Sequence, residues 1–231
     1  MFFISLFLNS LFLDNGVGDD CDGDWDGDGT TDFQDNCPNN SRVSLTNFNN
    51  FQTIALDPHG ESQKDPHWVI RNEGAEILET LNSDPGLAIG RDKLGGVDFE
   101  GTLFVNTRKD DDYVGFVFSY QSNSKFYVVM WKKAKQVYWK SKPFKAIAKP
   151  GIQLKLVDSI LGPGTWLRNA MWHTGHTRDH VKLLWEDPEQ QGWESKVGGA
   201  LSTIYLLSGA LIIGSYSDFH SHPTHPSTYR V

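Results

Sequence analysis

The sequence predicts an all-β protein that begins with an acidic segment lacking regular secondary structure. Short runs rich in Val, Ile, Phe, Tyr and Trp recur about every ten residues between clusters of Gly, Pro, Asn, Asp and Ser, the rhythm of an antiparallel sandwich rather than of alternating strands and helices. Aromatic residues are plentiful, 14 Phe, 8 Trp and 7 Tyr, which suits strands that pack a broad apolar face. No apolar period near 3.6 outlasts a few turns, so no long amphipathic helix is expected. At 231 residues the chain can hold one large domain or two small ones.

Residues 1–13 are apolar and read as the h-region of a signal peptide or as an artefact, since a basic n-region and a small-residue cleavage site are missing. Residues 14–40 form an Asp/Gly/Asn loop with no hydrophobic period and hence no core of its own. From residue 41 the β-rich runs begin. Val97-Asp98-Phe99-Glu100 alternates apolar and acidic side chains, as a half-buried strand does. Residues 113–120 and 126–131 are apolar on both faces, which predicts two central strands, and Gln121-Ser122-Asn123-Ser124 supplies the hairpin turn between them. Residues 136–139 and 152–157 continue the pattern, the latter placing Ile152, Leu154 and Leu156 on one side. Gly162-Pro163-Gly164 breaks the chain, and 181–185 is one further strand. Residues 197–217 carry no charge and precede a His/Pro/Ser-rich end; the run is long enough to span a membrane but rich in Gly and Ser, so a membrane-anchored product is a rival expectation.

The net charge of −8 is concentrated at one place. Nine aspartates lie between Asp14 and Asp35; setting those nine aside leaves 20 of the 29 acidic residues against 21 basic ones. Such a cluster repels itself and nucleic acid, and it calls for a cation. Reading from Asp24, the order Asp-Trp-Asp-Gly-Asp-Gly-Thr-Thr-Asp-Phe-Gln-Asp puts carboxylates at loop positions 1, 3, 5, 9 and 12, namely Asp24, Asp26, Asp28, Asp32 and Asp35. Gly29 stands at position 6, where the turn is sharpest, and Thr30 at position 7 can offer its backbone carbonyl. Ca2+ takes about six to eight hard oxygens at flexible geometry, and alternate residues of a tight loop can aim oxygens at one point. A frame starting at Asp22 would put Phe33 at position 12, which cannot ligate, so Asp22 is left to a neighbouring ion. No amphipathic helix brackets the loop, which makes it a structural calcium loop rather than a sensor that opens a groove. Cys21 and Cys37 flank it and are disulfide candidates, with each other or with other partners; Asn39-Asn40-Ser41 is a sequon that makes Asn39 a glycosylation candidate.

Other chemistry finds little support. His173, His176 and His180 have a zinc-like spacing but no acidic or thiol partner in register, and His220, His222 and His225 sit in a proline-rich end. There is no Gly-x-Ser-x-Gly elbow, no phosphate-binding glycine loop, and nothing that brings Glu100, Glu186 and Glu189 together as paired acids. Neither an enzyme with a small-molecule substrate nor a nucleic-acid binder is expected.

Several stretches resemble the end of a thrombospondin. They are the calcium loop, Phe51-Gln52-Thr53-Ile54-Ala55-Leu56-Asp57-Pro58, Asp65-Pro66-His67-Trp68-Val69 and Asn82-Ser83-Asp84-Pro85-Gly86-Leu87-Ala88. The likeness runs on through Asp110-Asp111-Asp112-Tyr113 with Gly115-Phe116, Phe126-Tyr127-Val128-Val129-Met130-Trp131-Lys132, Gly162-Pro163-Gly164, Leu167-Arg168-Asn169-Ala170 and Trp172-His173-Thr174-Gly175. Ser83 and the 143–155 stretch look most like the pentamer-forming branch that includes cartilage oligomeric matrix protein.

The resemblance implies a last type 3 calcium repeat over 14–40 leading into a partial C-terminal lectin-like jelly-roll sandwich over 41–196, then a divergent tail over 197–231. It implies a secreted glycoprotein of the extracellular matrix, with matrix proteins and cell-surface receptors as partners; a calcium-dependent glycan-binding lectin is the alternative. The family's acidic triplet, here Asp110, Asp111 and Asp112, is a second calcium candidate. Residues 125–132 match a segment proposed in the family as a receptor motif, although they read more simply as a buried strand. Relative to the family the chain is truncated at both ends: the oligomerising segment of full-length relatives is missing upstream, and 194–231 shows no strands, which would leave sheet edges unpaired.

Overall fold

The computed structural model of the chain describes residues 23–33, 35, 38, 39, 41, 44, 47–60, 64–74, 76–91, 98–101, 112–192, 204–207 and 210–214. It divides into two compact units, Met1–Asn47 and Phe48–Val231, taken in turn below. In the first unit the described residues form turns and bends only, as expected of a segment with no apolar period.

The second unit is built from strands. In chain order they are β1 (Gln52–Ala55), β2 (Trp68–Arg71), β3 (Glu76–Glu79), β4 (Gly86–Ile89), β5 (Asp98–Gly101), β6 (Tyr113–Ser122), β7 (Lys125–Lys132), β8 (Gln136–Val137), β9 (Ile147–Ala148) and β10 (Gly151–Asp158). One two-turn helix, α1 (Thr165–Trp172), precedes β11 (Val181–Glu186), β12 (Ile204–Leu207) and β13 (Ala210–Gly214). Seven strands make one antiparallel sheet in the order β1-β4-β13-β6-β7-β10-β11, and the rest pair as the ribbons β12-β5, β2-β3 and β8-β9. The all-β class holds.

The β6–β7 hairpin is the centre of the sheet. Its register pairs Tyr113 with Lys132 and Phe116 with Val129, and the turn is closed by the Ser124 amide donating to Ser122 Oγ at 3.3 Å. Gly115 lets the two backbones meet: a Cβ there would fall 2.7 Å from Met130 Cα and closer still to the Val129 carbonyl oxygen. Phe126 and residues 128–132 of β7 are all buried, which supports the strand reading of the 125–132 segment over direct receptor contact.

The core lies between one face of this sheet and a cover made by α1 and the β8–β9 ribbon. Leu87, Val117, Val128 and Val157 from the sheet meet Ala146, Ala148, Leu167 and Ala170 from the cover, each at most 1 % exposed. Each buried Val or Leu contributes about 1.5–3 kcal/mol by leaving water and each alanine methyl about 0.8 kcal/mol, so this packing holds the cover down.

Two expectations are corrected. In β10 the apolar set Ile152, Leu154 and Leu156 is only half-buried, while Gln153, Lys155 and Val157 are buried in full; the core face takes the polar residues because α1 ends over them with groups to satisfy. Residues 194–231 were expected to carry no strands, yet β12 and β13 lie there, β13 between β4 and β6. An uncharged run is what a strand flanked on both edges requires. Among the described residues no helix is long and apolar enough to cross a membrane.

Candidate metal centre

In the acidic loop, burial alternates residue by residue. Asp24, Asp26, Asp28, Thr30 and Asp32 are half-buried, whereas Gly23, Trp25, Gly27, Gly29 and Thr31 are exposed. Two left-handed glycines, Gly27 at φ 72° and Gly29 at φ 91°, wind the chain tightly enough to bring alternate side chains together. Asp24, Asp26 and Asp28 each present a carboxylate oxygen, all within 4.8 Å of one another.

Backbone amides fix the first carboxylate. Asp24 Oδ1 accepts from Gly27 N at 3.0 Å and Asp28 N at 3.2 Å, and Asp24 Oδ2 accepts from Gly29 N at 2.9 Å. Asp26 Oδ1 accepts from Asp28 N at 3.3 Å and Asp28 Oδ1 from Thr30 N at 2.8 Å. The second oxygen of each, Asp26 Oδ2 and Asp28 Oδ2, is buried with no hydrogen-bond partner. Two buried, partnerless carboxylate oxygens beside a third carboxylate are costly alone and match what a hard cation supplies.

The later loop positions close the turn. Asp32 Oδ1 accepts from Trp25 N at 2.8 Å, Asp32 N donates to the Gly23 carbonyl at 2.6 Å, and Asp35 N donates to the Thr31 carbonyl at 2.8 Å. Asp35 is half-buried and Asn39 is exposed in a turn. Asp22, Cys21, Cys37, Asp110 and Asp111 lie outside the described residues; Asp112 is buried at the start of β6.

The second unit holds a set of buried charges that no local pattern announces. Arg168 Nη1 meets Asp57 Oδ2 at 2.6 Å, both side chains at most 4 % exposed. Lys140 Nζ meets Asp84 Oδ1 at 3.2 Å; burial pushes the Asp84 carboxyl above its ordinary range while Lys140 pulls it back. Lys155 Nζ donates to the carbonyls of Met171 and His173, and burial pushes its ammonium down to about 7. Gln153 Nε2 donates to Thr174 Oγ1 at 2.8 Å and to Tyr113 Oη at 3.3 Å, and burial raises the Tyr113 phenol to about 12. Two of the three histidines with zinc-like spacing make other contacts: His173 Nδ1 accepts from Ile147 N at 3.1 Å, and His180 Nδ1 lies 2.8 Å from Ser159 Oγ, while His176 is exposed. These groups fasten the cover to the sheet.

An acidic loop of converging carboxylates followed in sequence by a β domain of this topology defines the class: an acidic loop segment ahead of an antiparallel all-β domain. The chain matches the description "Thrombospondin type 3 repeat" over residues 14–45 and "Thrombospondin C-terminal region" over residues 63–212. It is 59% identical to human thrombospondin-3 over 162 residues, which is 70% of this chain and 17% of that protein. It is likewise 59% identical to rat cartilage oligomeric matrix protein over 160 residues (69% and 21%) and 58% identical to Xenopus laevis thrombospondin-4 over 157 residues (68% and 16%). The chain belongs to the thrombospondin family. It spans between 16% and 21% of the length of these curated relatives.

Proposed function

We propose that this chain is a calcium-binding, adhesive module of a secreted extracellular-matrix glycoprotein. Asp24, Asp26 and Asp28 would hold Ca2+ with the Thr30 carbonyl, Asp32 and Asp35; Asp22 and the triplet Asp110, Asp111 and Asp112 would serve neighbouring ions. The single observation that carries the reading is the convergence of three carboxylates with two buried, partnerless oxygens. Bound there, Ca2+ would cancel the mutual repulsion of the carboxylates and so order the loop. The chain's own part is to pre-turn the loop through Gly27 and Gly29 and to hold Asp24 on three amides.

In this reading the repeat occupies 14–40, and the lectin-like sandwich begins at 41 and extends past 196, because β12 pairs with β5 and β13 with β4 and β6. Glycosylation at Asn39 accords with its exposure. Matrix proteins and cell-surface receptors are the proposed partners, a reading supported by similarity to a protein named for cartilage matrix. Calorimetric titration of the chain with Ca2+ tests the metal assignment: binding heat is expected for the parent, and the Asp24→Asn, Asp26→Asn, Asp28→Asn triple variant should lose the part that belongs to this loop while the neighbouring sites keep theirs. Equal heats in both would overturn it. Cell attachment to immobilised chain, with and without a chelator, tests the adhesive part; attachment no better than to albumin would sink it.

A further inference from the structure

The chain leaves β10 through a tight turn, Ser159-Ile160-Leu161-Gly162, whose two central residues are aliphatic. The Gly162 amide donates to the Ser159 carbonyl at 3.1 Å, and Gly162 takes the left-handed φ of 76° that lets the backbone leave the turn. The base is fastened from several sides. The Ser159 amide donates to the Ser124 carbonyl at 2.9 Å, the Ile160 amide to that of Asp179 at 3.1 Å, and the Gly164 amide to that of Leu56 at 2.7 Å. Ser159 Oγ gives its one hydrogen to the Gly162 carbonyl at 3.0 Å, so it is the acceptor towards His180 Nδ1 at 2.8 Å. A turn held this firmly keeps its side chains pointing out. Ile160 is 73% exposed and Leu161 63%, more than any other large aliphatic side chain among the described residues.

A third apolar side chain stands beside them. Trp166, 42% exposed, stacks on His180 at 5.5 Å, and His180 in turn holds the base of the turn. The charged groups next to the tip are already matched, Asp158 with Lys125 at 3.7 Å and Arg178 with Asp179 at 3.6 Å. The tip is therefore apolar and convex, in an electrically neutral collar. Three side chains fall far short of the roughly 800 Å² a side that a specific protein–protein interface takes, so neither a second copy nor an ordinary protein partner fits it. Hydrocarbon requires neither that area nor a complementary shape. An indole at the rim of an aliphatic tip suits the boundary between lipid headgroups and acyl chains. The neutral collar adds no attraction to an anionic surface, which points to zwitterionic lipid.

We propose that the turn from Ser159 to Gly162 is a membrane-contact tip, which inserts Ile160 and Leu161 into the outer leaflet of a phosphatidylcholine bilayer with Trp166 at headgroup depth. Two aliphatic side chains give weak, reversible attachment rather than anchoring. The tip lies wholly within the second unit, so it stands apart from the calcium reading.

Co-sedimentation of the full chain with phosphatidylcholine vesicles tests this. Binding is expected that changes little with salt or with phosphatidylserine in the vesicles. Ile160→Ser with Leu161→Ser should weaken it at least roughly tenfold. Trp185→Ser, which removes a 50% exposed indole on β11, should leave it as it was. Lipid with brominated acyl chains should quench part of the tryptophan fluorescence, and Trp166→Phe should remove that part. The Asp26→Asn, Asp28→Asn variant should bind the vesicles normally, which separates the tip from the metal site. The proposal is overturned if the parent does not bind the vesicles, or if the double aliphatic variant melts normally and binds like the parent. It is also overturned if the quenching survives in Trp166→Phe, or if attachment needs phosphatidylserine and disappears in salt. Self-association of the parent that the double variant loses would make the tip an interface between copies instead, and would overturn it too.

Discussion

The ammonium of Lys155 lies 2.7 Å from the Met171 carbonyl oxygen and 3.0 Å from that of His173, so a fully buried lysine of β10 caps the end of α1. A cation suits the negative end of a helix, yet burial works against its charge and brings its pKa from 10.5 to about 7. Unfolded, the side chain keeps its proton up to about pH 10.5; folded, it releases it near pH 7. Between those values the unfolded chain binds more protons, so stability rises with pH and is lost as pH falls toward 7. Denaturant unfolding at pH 7, 8 and 9 should therefore show increasing stability, by at most about 1.4 kcal/mol per pH unit. Lys155→Met should remove that slope. An unchanged slope in the variant would show that the titrating group is elsewhere.

Arg168 and Asp57 stand 111 residues apart in sequence and 2.6 Å apart in space. Arg168 also donates to the Lys142 carbonyl and to Asn169 Oδ1, so it fastens α1 to both the sheet side and the covering loop. Removing one partner leaves a buried charge uncompensated, which costs about 3–5 kcal/mol. Arg168→Met should destabilise the chain by that order, and Asp57→Asn in the same background should recover part of it. Additive losses across this double-mutant cycle would mean the two do not interact energetically.

Gly115 sits where β6 and β7 approach most closely. A methyl group there meets backbone atoms of Val129 and Met130 rather than the yielding end of a side chain. The central pair of strands must separate to admit it. Gly115→Ala is expected to cost about 1–3 kcal/mol, read as a lowered midpoint in chemical denaturation. A midpoint equal to the parent's would place slack in the hairpin that the close approach does not allow.

What could be read from the sequence was local. Aspartates two residues apart from Asp24 to Asp28 converge because the loop geometry depends only on neighbours and on Gly27 and Gly29. The β6–β7 hairpin was legible for the same reason: two apolar runs flank a turn of Ser and Asn. The inward turn of Gln153 and Lys155 was not, because the groups they satisfy, Thr174 Oγ1 and the Met171 carbonyl, arrive from a helix end that no periodicity places over β10. The seat of β13 between β4 and β6 is likewise a long-range pairing, and an uncharged run alone does not distinguish an inner strand from a membrane span or a tail.

Trp25 gives the metal proposal an optical reading. It is position 2 of the loop, directly between Asp24 and Asp26 in sequence and 50% exposed, and its backbone amide donates to Asp32 Oδ1, so its indole is the aromatic ring next in sequence to the converging carboxylates. A lanthanide that takes the place of Ca2+ among hard oxygens should be excited through that indole and emit, and Ca2+ should quench the emission by competition. Asp28→Asn keeps the side chain's size but removes one charge and one of the two partnerless oxygens. Its Ca2+ affinity should fall at least roughly tenfold, about 1.4 kcal/mol. Trp25→Phe should abolish the sensitised emission while leaving calorimetric Ca2+ binding intact, which ties the signal to this loop. Emission that survives in Trp25→Phe, or Ca2+ affinity unchanged in Asp28→Asn, would move the ion to another site.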